Sequence, residues 1–251
     1  MRSVRLLEHA LTKEPKRVLD VGVGHGHHAM AFMSHGSFVT GLDVKPSPLD
    51  HPLYDHIEGA IELVKIEHKY DMIWCSHTLE HIPNVQMFLI KLQSLLKDDG
   101  WLYIAVPTDL QDRLHVGHLT LWTPAHLAYN LVCAGWDCKE ALWYTEYLTI
   151  GMCVQKKEVI DLSWRTSMPS EQGHLNLYMP RGIKHNDSAW WGDHWPDPTD
   201  ERVSDPPNVT IGVEHTNLPP KTQLAYGPNP NLRKAPGTAA RPKDGPPLDA
   251  A

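Results

Sequence analysis

Along its first 157 positions the chain alternates between two hydrophobic spacings. Short, nearly continuous apolar runs mark strands buried on both faces, and stretches with an apolar residue every third or fourth position mark helices with one buried side. Runs at Arg17 to Val21, Phe38 to Asp43, Asp71 to Ser76 and Trp101 to Val106 predict strands, with a weaker one near His56 to Gly59. Val4, Leu7 and Leu11 put a short amphipathic helix before Pro15, and His27 to His35 continues as a crossover helix. Val85, Phe88, Leu89, Leu92 and Leu96 form the apolar stripe of a helix from Val85 to Lys97, which Asp98-Asp99-Gly100 ends in a turn. Thr123 and Pro124 open a last helix, the threonine as cap and the proline in the first turn. Trp136 to Thr145 and Leu148 to Lys156 predict a closing antiparallel hairpin. The alternation specifies an α/β chain with a doubly wound sheet.

After residue 157 this periodicity stops, which divides the chain into a domain at 1–157 and an irregular, Pro-rich C-terminal extension at 158–251. Pro206-Pro207, Pro219-Pro220, Pro228-Asn229-Pro230 and Pro246-Pro247 favour extended conformations, and the last thirty or so residues read as disordered. Ser188 to Pro196, dense in tryptophan, reads instead as an arm packed on the domain, with a substrate-site lid or a partner contact as the alternatives.

Composition narrows the picture. A chain of 251 residues, 41% hydrophobic, buries a sizeable core, and a formal net charge of −7 disfavours a broad phosphate-binding surface and hence nucleic acid. No apolar run reaches membrane-spanning length, and Met1 to Glu8 lacks the apolar core of a signal peptide, so the expected compartment is the cytoplasm. Cys75, Cys133, Cys138 and Cys153 have no metal-site spacing and read as buried thiols.

Candidate chemistry begins at Val18-Leu-Asp-Val-Gly-Val-Gly-His-Gly26, a buried strand running into three alternating glycines. Gly22, Gly24 and Gly26 permit a tight turn with close backbone approach to a ligand. The pattern also fits a loose dinucleotide turn, yet a pyrophosphate beside Asp20 would be repelled, whereas a ligand carrying ammonium and sulfonium charges would be attracted. Asp43, ending the next strand, suits both ribose hydroxyls of either ligand.

The turn, Gly41-Leu-Asp43, Tyr70 to Pro83, Leu95 to Pro107, Leu121 to Leu127 and Ala134-Gly-Trp136 together resemble the class I S-adenosylmethionine-dependent methyltransferases in order and spacing. The resemblance implies a Rossmann-like seven-stranded sheet in the order 3-2-1-4-5-7-6, with only the inserted strand antiparallel. It also implies S-adenosylmethionine as cofactor and methyl transfer to oxygen or nitrogen of a small-molecule acceptor, a lipid precursor or a sugar. On this reading Asp20, Gly22 and Gly24 hold the methionine moiety, Gly26 allows close approach, Asp43 takes the ribose and Ile61 packs on the adenine. Ser76 and His77 then lie near the methionine carboxylate or the transferred methyl. The family's usual adenine-binding acid is replaced by Ala60, so Glu58 or Glu62 substitutes only if the register shifts.

Among 17 histidines, His77, His81 and His118 are the candidates for a catalytic base, because they follow strands at the cofactor side of the sheet. His77-Thr-Leu-Glu80-His81 also resembles the Glu-x-x-Glu-His element of metal-dependent O-methyltransferases, with His77 replacing the first glutamate and His118 matching a further histidine. The expectation here is no metal, Glu80 and His81 organising the turn instead. Two other readings are a non-catalytic S-adenosylmethionine-binding module with a partner-recruiting arm, and a nicotinamide-dependent oxidoreductase. The latter is disfavoured because no second substrate domain follows the glycine turn.

Overall fold

The computed structural model describes residues 3–108, 115–146, 148–162, 177–181 and 183, all inside one unit, 1–209. Its elements are α1 (Val4–Leu11), β1 (Arg17–Val21), α2 (His27–Ser34), β2 (Phe38–Asp43), β3 (Tyr54–Glu58) and β4 (Tyr70–Ser76). A 3₁₀ turn at Leu79–His81 leads to α3 (Val85–Leu95), β5 (Leu96–Pro107), α4 (Pro124–Cys133), β6 (Leu142–Glu146) and β7 (Thr149–Gln155).

The seven strands lie in the order β3-β2-β1-β4-β5-β7-β6, the sheet implied by the sequence. Strand β7 runs antiparallel to both neighbours, while the other pairs are parallel. Each central strand sends alternate side chains into different cores. Leu19, Ile73, Cys75, Leu102 and Ile104 pack with α3 and α4, whereas Val18, Met72, Trp74, Tyr103 and Ala105 pack with α1 and α2. Burial on both faces is why these strands read as unbroken apolar runs.

Helix starts follow their caps. Asn84 accepts from the Met87 amide at 3.2 Å, and Thr123 accepts from the His126 amide at 3.1 Å with Pro124 in the first turn. All four cysteines are buried and none is in a disulfide. Among the described residues no helix is long and apolar enough to cross a membrane.

Three boundaries differ from the sequence reading. Helix α3 stops at Leu95, because buried Leu96 already pairs with Tyr70; the ladder then breaks and resumes at Met72 and Trp101, so Asp98-Asp99-Gly100 forms an irregularity within β5. Strand β6 begins only at Leu142. The preceding apolar residues fill the core from a turn: Trp136 donates to the Leu89 carbonyl at 3.3 Å, and the Cys138 amide bonds Tyr178 O at 3.0 Å. Finally, residues beyond 157 reach back to the α3/α4 core. Met179 and Ile183 are buried there, and the Trp143 indole donates to Arg181 O at 2.9 Å. The tryptophan segment 188–196 and the proline pairs lie outside the described residues.

Candidate active site

Every glycine of the turn after β1 has a left-handed backbone, with φ of 77° at Gly22, 51° at Gly24 and 76° at Gly26. Two are also sterically closed to side chains: a Cβ would fall 2.0 Å from Thr78 Oγ1 at Gly22 and 2.2 Å from a Leu49 methyl at Gly26. The Thr78 hydroxyl donates to Val21 O at 3.0 Å, so the loop after β4 is fastened to the end of β1. Across the turn, the Asp43 carboxylate accepts from the Gly24 amide at 3.0 Å and the Lys45 amide at 3.1 Å.

These loops border a cavity of about 820 Å³ at the carboxyl end of the parallel strands. Of the residues the sequence proposed for the site, Gly22, Gly24, Asp43, Ile61, His77 and His81 line it. Asp20, Gly26 and Ser76 do not. Asp20 is only 2% exposed beneath the turn, accepts from the Ala29 amide, and leaves Oδ2 with no hydrogen-bond partner. Burial, then the nearby Asp43 charge, pushes its pKa up to about 7. Ser76 turns its hydroxyl to that of Ser3, 3.1 Å away.

Several lining residues escaped sequence reasoning. Thr78 is one, since only the folded register sets it against Gly22. Lys45, Pro46 and Pro48 are others, although two closely spaced prolines after the β2 acid were a readable sign of a stiff wall. Glu62 and Ala60 line the cavity; Glu58 does not.

Four groups meet beside the cavity. His77 has φ of 56°, unusual for a residue with a side chain, and its amide donates to Ala105 O at 2.8 Å. Its Nδ1 lies 3.5 Å from Glu80 Oε1 and its Nε2 3.5 Å from Thr149 Oγ1. Glu80 is 1% exposed, and its Oε2 has no hydrogen-bond partner. His81 Nδ1 bonds Gly117 O at 2.8 Å; a carbonyl only accepts, so Nδ1 carries the proton. His81 Nε2 consequently faces Glu80 Oε1 at 3.9 Å with either a second proton or a bare lone pair. His118 is outside the cavity lining, but its ring centroid is 5.0 Å from that of His81.

Glu80, His81 and His118 bring one potential ligand atom each within 4.8 Å of one another. The fit to a divalent ion is fair: two imidazoles and a buried carboxylate with a spare oxygen, and one ring oriented through its far nitrogen by a carbonyl. That donor set suits zinc, manganese or iron better than magnesium.

A seven-stranded sheet of this order, with a glycine turn after β1 and an acid after β2 bordering one cavity, defines a class I, Rossmann-like methyltransferase fold. The chain belongs to the S-adenosylmethionine-dependent methyltransferases through the family described as a methyltransferase domain, which matches residues 2–185. It is 33% identical over 113 residues to the ubiquinone biosynthesis O-methyltransferase of Coxiella burnetii strain Dugway 5J108-111, covering 41% of this chain and 48% of that protein. It is 30% identical over 105 residues to the enzyme of the same description from Glaesserella parasuis serovar 5, covering 36% and 44%. The chain thus spans about half the length of the curated relatives it matches. Among solved structures it is similar to the 1,6-didemethyltoxoflavin-N1-methyltransferase of Burkholderia thailandensis, with 23% identity and a TM-score of 0.54 over 62% of this chain and 78% of that one.

Proposed function

We propose that this protein binds S-adenosylmethionine in the 820 Å³ cavity and transfers its methyl group to an oxygen or nitrogen of a small molecule. The observation that carries the reading is that one cavity is bordered both by Gly22, Gly24 and Asp43 and by the proton-accepting side chain of His77. The glycine amides receive the methionine end, and Asp43 holds the ribose through lone pairs left beyond its two amide bonds. Ile61 packs on the adenine. Glu62, which lines the cavity where Glu58 does not, serves as the adenine-binding acid in place of Ala60. Asp20 acts from beneath the turn. Thr78 borders the cavity in the role first given to Ser76.

The bound sulfonium supplies an activated methyl, so the protein's task is alignment and removal of the acceptor's proton. His77 performs the second task. Its left-handed backbone sets the ring between Glu80 Oε1 and Thr149 Oγ1, each 3.5 Å from a ring nitrogen. The acceptor is a small metabolite, a lipid precursor or a sugar. Calorimetry with S-adenosylmethionine and an assay for S-adenosylhomocysteine across an acceptor panel test the reading. Binding without turnover on every acceptor favours a non-catalytic module, and binding of NAD alone favours an oxidoreductase.

The gathering of Glu80, His81 and His118 supports a second reading, a metal-dependent O-methyltransferase. There these three residues hold a divalent ion, which would polarise the acceptor hydroxyl. Loss of turnover on exhaustive chelation, restored by metal, distinguishes it from the metal-free reading.

A further inference from the structure

Asp20 is the buried carboxylate of the glycine turn, and alignment of the acceptor gives it no task. It sits between Gly41 of β2 and Trp74 of β4, 2% exposed, with one oxygen on the Ala29 amide and Oδ2 bonded to nothing. Among the described residues, the one charged side chain that acts appreciably on it is Asp43, of like sign. Asp43 approaches from β2, Tyr54 from β3 and Cys75 from β4, each acidic or neutral. On α2, His28 meets Trp74 at a tilt, ring centroids 4.9 Å apart. Two cationic candidates, Lys45 and His25, line the cavity, which Asp20 does not. A carboxylate so placed sheds its proton only at a cost, and the balance is close: burial and Asp43 hold it half-protonated near neutral pH.

We infer that Asp20 reads the charge of whatever occupies the cavity, releasing a proton to solvent when a sulfonium is bound and taking one back when the neutral thioether product remains. The inference rests on the S-adenosylmethionine reading above. It follows from Coulomb's law across the glycine turn, whose Gly22 and Gly24 line the cavity just after Asp20 in the chain: S-adenosylmethionine and S-adenosylhomocysteine share the ammonium and the carboxylate, but only the former carries a charge on sulfur. The ionised form of Asp20 therefore prefers the substrate. Because the same proton is linked to both ligands, preference for substrate over product rises with pH through neutrality. The turn thereby lessens product inhibition as pH increases.

Isothermal titration of the full chain with each ligand at pH 6, 7 and 8, in buffers of different ionisation enthalpy, counts the protons after the ligands' own titration is subtracted. S-adenosylmethionine is expected to release more protons than S-adenosylhomocysteine near pH 7, and the affinity ratio to rise roughly five- to tenfold from pH 6 to 8. In Asp20→Asn the ratio stays flat. Equal proton counts for the two ligands in the unaltered protein overturn the inference even if the variant fails to fold, as does an undiminished pH dependence in a folded variant. Absence of binding by either ligand instead overturns the cofactor reading on which it rests.

Discussion

Thr78 occupies the space that a side chain on Gly22 would need: a Cβ there would lie 2.0 Å from the threonine hydroxyl, which is itself bonded to Val21 O. The turn after β1 and the loop after β4 are thus interlocked.

Gly22→Ala combines that collision with a left-handed φ of 77° and is expected to weaken S-adenosylmethionine binding at least about tenfold while lowering the melting temperature. Thr78→Ala loses one hydrogen bond and costs about 1 kcal/mol. Titration calorimetry and thermal melts separate the two.

Asp43 holds the Gly24 and Lys45 amides as well as the proposed ribose. Replacement by Ala is expected to reduce cofactor affinity by roughly 10- to 100-fold, from lost charge-assisted hydrogen bonds, with the circular dichroism spectrum retained. Affinity within twofold of the unaltered protein would remove Asp43 from the site.

His77→Ala is expected to lower kcat by about 10²- to 10⁴-fold with little change in cofactor affinity, the pattern of a lost general base. Chelation should leave the unaltered enzyme's rate intact. His118→Ala, outside the cavity lining, should do the same; a large loss with either treatment points to the Glu80, His81 and His118 metal reading.

Stability should depend on pH through two groups of opposite sign. His9 Nδ1 shares a hydrogen bond of 2.9 Å with the Tyr103 hydroxyl, and burial, then Lys13, lowers the His9 pKa from 6.5 to about 4. Its contribution is complete above pH 6.5 and lost as pH falls through 4, up to about 3 kcal/mol. Asp20, raised from 3.8 to about 7, erodes stability as pH rises across that interval, so Asp20→Asn should remove that decline between about pH 4 and 7. Denaturant titrations from pH 4 to 8 measure both.

Truncation after residue 157 removes Met179 and Ile183 from the core and Arg181 O from the Trp143 indole. It is expected to destabilise the protein by several kcal/mol, since each buried aliphatic side chain is worth about 2–5 kcal/mol. Truncation after residue 185 keeps all three contacts and should melt like the full chain. Equal melting of both would show that residues 158–183 contribute nothing to the domain.

Strands proved legible where both faces are buried, because Val18-Leu19 and Met72 to Cys75 leave no polar position to blur the pattern. The same rule misled at Trp136 and Cys138, whose apolar side chains enter the core from a turn rather than a strand. Gly22, Gly24 and Asp43 could be found because their chemistry is written within single short segments. Thr78 could not, since its role is a contact with Val21, distant in sequence and made only by the folded sheet. The His81 and Gly117 bond has the same character. Ser76 stood in the right loop, but its hydroxyl is engaged by Ser3 at the start of α1, a pairing no local pattern encodes.

The insertion of β7 between β5 and β6 also dictates when this site comes into being. Thr149, which faces His77, opens that strand, and the β5 edge has no partner until β7 arrives. During synthesis the cofactor half leaves the ribosome first, with an apolar sheet edge still uncovered. The nascent chain therefore passes through an interval in which it is adhesive and its proposed base still lacks Thr149, and a single late strand ends both conditions.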